Sequence, residues 1–124
     1  MLRTQNKARL LVVDDEYFNF TFYTHVLGEQ FELKYAKSGE QCLKEALTFH
    51  PDAIMLDVCM PGLDGFDTCR ILKNTPETKD IPILMVSGLE SEAAKKHAFE
   101  VGCDGFFVKP LAMNELMERL QTLI

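Results

Sequence analysis

Ile54-Met55-Leu56-Asp57-Val58-Cys59-Met60-Pro61-Gly62-Leu63-Asp64-Gly65 runs from apolar residues to a single carboxylate and then breaks into proline and glycine. An apolar run this short has the form of a fully buried strand, and the Pro-Gly pair forbids its continuation as helix. Asp57 is therefore expected at the carboxyl end of a central strand, the place where open α/β sheets hold their ligands.

Three further stretches end in the same way. Residues 9–13 (Arg-Leu-Leu-Val-Val) stop at Asp14 and Asp15, residues 83–86 stop at Ser87-Gly88, and residues 106–108 stop at Lys109-Pro110. Residues 31–36 alternate as a fifth strand. Helical patterns fill the gaps. In residues 17–27, Phe18, Phe22 and Val26 keep a four-residue spacing ahead of Gly28. Phe20 and Tyr23 fall outside that stripe, and so many aromatics suit a strand equally well; the flanking strands decide for helix. Ser38 precedes Gln41 by three residues, a capping-box signature, and Cys42, Leu43, Ala46 and Leu47 form an apolar stripe up to His50-Pro51. Asp64 and Asp67 suit a helix N-terminus, with Phe66, Cys69, Ile71 and Leu72 leaning inward.

Residues 74–82, with two prolines, read as a loop. Ser91 is placed as the cap of a helix whose Ala94, Ala98 and Val101 share a face and which Gly102 closes. Met113, Leu116, Met117, Leu120 and Leu123 mark a last amphipathic helix. Strand and helix thus alternate five times. The pattern predicts an α/β, doubly wound (βα)5 chain of the flavodoxin-like kind: a five-stranded parallel sheet with helices on both faces.

The 124 residues fit one domain, with residues 1–8 as a polar N-terminal extension and 9–124 as the folded unit. A net charge of −6 argues against a nucleic-acid surface, which needs a basic face. No apolar run is long enough to span a bilayer and no signal peptide is visible, so a cytoplasmic location is expected. Cys42, Cys59, Cys69 and Cys103 lack zinc-ligand spacing. Cys42 and Cys69 read as small core fillers of a reduced protein, Cys103 is ambiguous, and Cys59, after Asp57, reads as exposed. The aromatics Tyr17, Phe18, Phe20, Phe22 and Tyr23 exceed what one helix face can bury, which leaves either cover by neighbouring helices or an exposed patch able to receive a partner.

In a parallel sheet the four strand ends share one edge, so Asp14, Asp15, Asp57, Ser87 and Lys109 converge. Clustered carboxylates repel unless a cation joins them, and a hard divalent ion such as Mg²⁺ suits oxygen donors of this type. Asp57 is then either a third ligand or a nucleophile that attacks phosphorus to form an acyl phosphate. The second role needs a cation such as Lys109, a donor such as the Ser87 hydroxyl, and the approachable backbone amide of Gly88. Taken singly, each residue has a plainer reading: Asp14 and Asp15 as helix caps, Ser87 as a turn former, Lys109 as a solvated surface charge.

In order along the chain, Val12-Val13-Asp14-Asp15, the stretch from Leu56 to Gly65, Val86-Ser87-Gly88 and Phe106-Phe107-Val108-Lys109-Pro110 resemble the receiver domain of two-component response regulators. The resemblance covers nearly the whole chain. It implies a phosphorylation-activated signalling switch that catalyses its own phosphorylation and dephosphorylation but is not a substrate-turnover enzyme. It implies Asp57 as phosphoacceptor, taking its phosphoryl group from the phosphohistidine of a sensor histidine kinase or histidine phosphotransfer protein. Mg²⁺ (or Mn²⁺) would be held by Asp15, Asp57 and the backbone carbonyl of Cys59, with Asp14 acting largely through water. Lys109 would pair with the phosphoryl group, and its bond to Pro110 is expected to be cis, a state that proline makes accessible. Ser87 and Phe106 would be the switch pair, changing the surface of residues 91–124 toward an effector domain, a downstream protein or a second copy.

Phe106 stands where many members have Tyr, so a readout through a phenolic hydroxyl is absent, and plain core packing is its simpler role. Cys59 and Leu89 cannot guide an attacking water well, which predicts slow self-dephosphorylation. Other readings fit less well. A flavin phosphate would be repelled by Asp14-Asp15-Glu16, and a haloacid-dehalogenase-type phosphatase needs an acid where Cys59 stands. The remaining alternative is a receiver-like interaction module independent of phosphorylation.

Overall fold

The two apolar runs that end in acids pair directly: β1 (Ala8–Val13) lies parallel to β3 (Ala53–Asp57), with Val13 opposite Leu56. The structure is a computed structural model and describes residues 7–88 and 92–124. Its other strands are β2 (Phe31–Ala36), β4 (Ile83–Ser87) and β5 (Gly105–Val108). All pair in parallel in the order β2-β1-β3-β4-β5. Central β3 and β4 are buried along their whole length, the signature of a sheet covered on both faces. The helices between them are α1 (Tyr17–Leu27), α2 (Gly39–Phe49), α3 (Gly65–Lys73), α4 (Glu92–Glu100) and α5 (Met113–Leu123). The predicted five-fold alternation of strand and helix is the observed one.

Strand alternation divides the core in two. Leu11, Val13, Ile54, Leu56, Ile83 and Met85 face α2, α3 and α4, where Cys42, Ala46, Cys69, Leu72 and Ala98 meet them. Leu10, Val12, Met55, Leu84 and Val86 face α1 and α5, where Tyr23, Leu27, Leu116 and Leu120 close the other side. Burial pushes the thiols of Cys42 and Cys69 up to about 12 and that of Cys103 to about 11, so all three are inert core groups. Cys103, ambiguous from sequence, is buried, and Cys59 is exposed as expected.

Local signals account for the helix ends. Ser38 Oγ accepts from the Gln41 amide at 3.1 Å, while the Gln41 side chain accepts from the Lys37 amide rather than that of Ser38, a shifted capping box. Asp64 caps α3 by accepting from the Asp67 amide at 2.9 Å. Gly102, with φ of 103°, ends the turn after α4 in a conformation that disfavours any side chain. The cap assigned to Ser91 lies outside the described residues. Among the described residues, no helix is long and apolar enough to cross a membrane.

Two apolar stripes turn out differently from the sequence reading. In α3, Ile71 is exposed, and Thr68, Cys69 and Leu72 make the inward face. In α1, the Phe18–Phe22–Val26 stripe points outward: Phe18 is 80% exposed and Phe22 48%. The buried residues are Tyr23 and Leu27, with Phe20 packed beside them. Both faces of α1 are apolar, so spacing alone could not choose between them.

Candidate functional site

The ladder brings the strand ends to one edge through backbone bonds. The Asp14 amide donates to Ala36 O at 3.1 Å, the Val58 amide to Val86 O at 3.0 Å, and the Lys109 amide to Ser87 O at 2.8 Å. Each bond extends a strand pair by one residue beyond its regular end. Asp14, Asp57 and Ser87 are all buried despite being polar.

Lys109 Nζ stands 3.8 Å from Asp57 Oδ1 and 4.0 Å from Asp14 Oδ2. Asp14 is further held by the Glu16 amide, which donates to Oδ1 at 2.9 Å, and by Asn19 Nδ2, which donates to Oδ2 at 3.1 Å. Asp57 Oδ1 accepts a longer bond of 3.4 Å from the Cys59 amide. The Asp57 carboxyl is pushed up to about 6. Burial is the main cause; Lys109 and the Cys59 amide oppose it, and the charges of Asp14 and Asp15 add to it. An acid so placed gains from any further positive charge.

The donor set fits a hard divalent cation. Ligand oxygens of Asp14, Asp15 and Glu16 all lie within 4.8 Å of one another, Asp14 buried and the other two exposed. Carboxylates that crowd on one rim, beside a fourth with a raised pKa, are the oxygen-rich surrounding that Mg²⁺ or Mn²⁺ occupies. From sequence, Glu16 entered only as part of the acidic run that would repel a flavin phosphate, not as a metal ligand. Asp57 faces this group through the shared Lys109 rather than standing inside it.

The remaining expected residues lie on the same edge of the sheet. Asp57 continues the alternation of Ala53 and Met55 on the α1/α5 face. Ser87 follows Ile83 and Met85 on the α3/α4 face, where Phe106, paired with Met85, packs partly buried. Among the described residues, a Cβ at Gly88 would meet nothing within 4 Å. At Gly65 the opposite holds: a Cβ would collide with the backbone of Asp57 and Val58. The start of α3 thus rests directly on the strand end that carries Asp57. The Lys109–Pro110 bond is cis, and Leu89 lies outside the described residues.

Two contributors escaped the sequence reading besides Glu16. Asn19 and Tyr23 sit four apart on α1, on the side turned to the sheet. Their spacing from Asp14 was visible, but the competing Phe18–Phe22–Val26 stripe hid the inward face. Tyr17 meets Tyr35 of β2 edge-on at 5.2 Å, and Phe20 lies tilted against the same ring at 5.0 Å.

Comparison with known proteins points the same way. The response regulator receiver domain model matches residues 10–121. The response regulator PleD of Caulobacter vibrioides is 38% identical over 117 residues, which is 94% of this chain and 26% of PleD. The transcriptional regulatory protein ResD of Bacillus subtilis is 32% identical over 120 residues, 96% of this chain and 49% of ResD. The chain therefore spans between a quarter and a half of the length of these relatives. Among solved structures, chemotaxis protein CheY4 of Vibrio cholerae superposes with a TM-score of 0.88 at 30% identity, covering 96% of this chain and 100% of CheY4. The receiver domain of the Francisella response regulator 1452 gives 0.86 at 28% identity, over 94% and 96% of the two chains.

Proposed function

Because the chain belongs to the response regulator receiver domain family of two-component signalling, we propose that it is a phosphorylation-driven switch whose phosphoacceptor is Asp57. The observation that carries this is the meeting of Asp57, Asp14 and Lys109: a buried carboxylate of raised pKa at the end of the central strand, with one ammonium group 3.8 Å away. An Asp57 oxygen attacks the phosphorus of a phosphohistidine on a sensor kinase or phosphotransfer protein. The P–N bond breaks, the imidazole leaves with the bonding pair, and an acyl phosphate forms.

Lys109, the Ser87 hydroxyl and the Gly88 amide are assigned to the phosphoryl oxygens. Lys109 is already at the site, and Ser87 and Gly88 end the neighbouring strand. Asp14, Asp15, Asp57 and the Cys59 carbonyl would hold Mg²⁺ or Mn²⁺, with Glu16 at the rim; the ion would supply positive charge to the transferring group. Hydrolysis of the acyl phosphate resets the switch, so the domain acts once per signal and turns over no separate substrate.

Ser87 and Phe106 lie on the α4 side of the sheet, opposite in parity to Asp57. A shift of Ser87 toward the phosphoryl group would free space beside Phe106 and alter the α4–β5–α5 surface, where an effector domain, a downstream protein or a second copy would read it. A cytoplasmic setting follows from a kinase partner. Intact mass after treatment with acetyl phosphate and MgCl₂ tests the proposal. One added phosphoryl group, absent in Asp57→Asn and after EDTA, is expected. No addition from either acetyl phosphate or a phosphohistidine protein donor would overturn it in favour of an interaction module independent of phosphorylation.

A further inference from the structure

Below the acidic rim lies a cavity of about 10 Å³, on the scale of a single water molecule. Its lining is two carboxylates, Asp14 and Asp57, four apolar side chains from β1, β3 and β4, and Tyr23 of α1. Tyr23 thus brings the one hydroxyl among the lining residues. Its ring is 6% exposed and packs in the α1/α5 core among Leu27, Met55, Val86 and Leu116.

The phenol is a permanent donor. Burial first, then the negative charges of Asp14 and Asp57, push its pKa up to about 12. It therefore keeps its proton throughout the range in which Asp57 titrates. The ring's apolar surroundings would accept phenylalanine equally well on volume, so packing does not account for the hydroxyl. The acidic pair is the partner that the cavity offers. Asp14 already has Glu16, Asn19 and Lys109, whereas among the described residues Asp57 has only Lys109 and a long bond from Cys59.

We propose that Tyr23 is a positioning residue of the phosphoacceptor site: its hydroxyl donates through one water in the shared cavity to the Asp14–Asp57 pair and fixes the carboxylate orientation that a cation and an incoming phosphoryl group require. The inference rests on Asp57 being the phosphoacceptor. A hydrogen bond to an ionised group inside low-dielectric walls is stronger than its counterpart in water, so one hydroxyl can matter here.

The test compares wild type with Tyr23→Phe, which keeps the ring and removes only the oxygen. MgCl₂ binding is measured by calorimetry and labelling by acetyl phosphate from intact mass. A Tyr17→Phe/Tyr35→Phe protein leaves Tyr23 as the sole tyrosine in a chain without tryptophan, so its near-ultraviolet absorbance reports on the site without touching the hydroxyl. Tyr23→Phe is expected to fold normally but to lose about ten- to a hundredfold in both Mg²⁺ affinity and labelling rate, the scale of one hydrogen bond to a charged group. The lone Tyr23 is expected to change its absorbance as MgCl₂ saturates.

Wild-type affinity and labelling in Tyr23→Phe, or a Tyr23 spectrum indifferent to bound Mg²⁺, would overturn the inference while leaving the phosphoacceptor assignment standing. If wild type itself fails to be labelled, that assignment falls, and the role of Tyr23 falls with it.

Discussion

Lys109 Nζ reaches to within 3.8 Å of Asp57 Oδ1 although β5 and β3 are not neighbours and β4 runs between them. Only a side chain as long as lysine, leaving the sheet edge just past the end of its strand, spans that gap. The same ammonium meets Asp14, so one cation links the two buried acids of the rim.

Replacing Lys109 by Met should therefore raise the Asp57 pKa further above its present value of about 6, because the largest influence opposing burial is removed. Carboxyl-carbon NMR titration checks this. Labelling by acetyl phosphate should fall by about a hundredfold, as when one preorganised donor to a developing anion is deleted. A variant labelled as fast as wild type would remove Lys109 from the site chemistry.

The raised pKa of Asp57 has a definite sign in stability. Unfolded, the carboxyl titrates near 3.9; folded, it titrates at about 6. Between these values the folded chain binds more protons, so its stability falls as pH rises through the window and is fully recovered below it. Asp57→Asn lacks that loss. In EDTA it should exceed wild type by about 3 kcal/mol at pH 7.5 and by much less at pH 4.5, measured by urea denaturation. An equal gap at both pH values would contradict the assignment.

Mg²⁺ should stabilise wild type through the same acids. At a concentration about one hundred times its Kd, a cation that binds only the folded state adds about 2.7 kcal/mol. Thermal melts with and without EDTA should show this rise in wild type and a much smaller one in Asp15→Asn. Equal rises in the two proteins would move the cation away from the rim.

Cys59 is exposed and its amide, not its side chain, faces Asp57. An amide side chain there could orient a water where the thiol cannot. Cys59→Asn should shorten the life of the phosphorylated protein several-fold, followed by loss of the added mass after the phosphodonor is removed. An unchanged lifetime would dismiss the slow-hydrolysis reading.

Gly65 and Phe18 form a pair of contrasting substitutions. Gly65→Ala forces a methyl group into the backbone of Asp57 and Val58, costing about 1–3 kcal/mol as overpacking does. Phe18→Ser, on the open face of α1, should stay within about 0.5 kcal/mol. Chemical denaturation of the two variants separates them, and a destabilised Phe18→Ser would show that the outer face of α1 is covered.

Much of this was legible because the chain punctuates itself clearly. The apolar runs before Asp14, Asp57, Ser87 and Lys109 are short and stop at polar residues, the last three with Pro or Gly close behind, so strand ends and their polar residues could be placed directly. The inward side of α1 was not legible. With Phe18, Phe22 and Val26 on one face and Tyr23 and Leu27 on another, hydrophobic spacing gives no preferred side. Ile71 in α3 was misplaced for a related reason, since Thr68 took the buried position through a hydroxyl bond of 2.7 Å to Asp64 O.

The sequence by itself determined the alternation of strands and helices, and with it the gathering of acids and a lysine on one edge, because both are consequences of local periodicity and of parallel pairing. Which groups touch was decided only by the tertiary structure. Lys109 meets Asp14 and Asp57 together, and Glu16 joins Asp14 and Asp15. The rotation that turns Tyr23 toward the buried acids and Phe18 toward solvent is likewise tertiary. A helix that is apolar all round takes its orientation from the shape of the sheet it packs on, and that shape is absent from the local sequence.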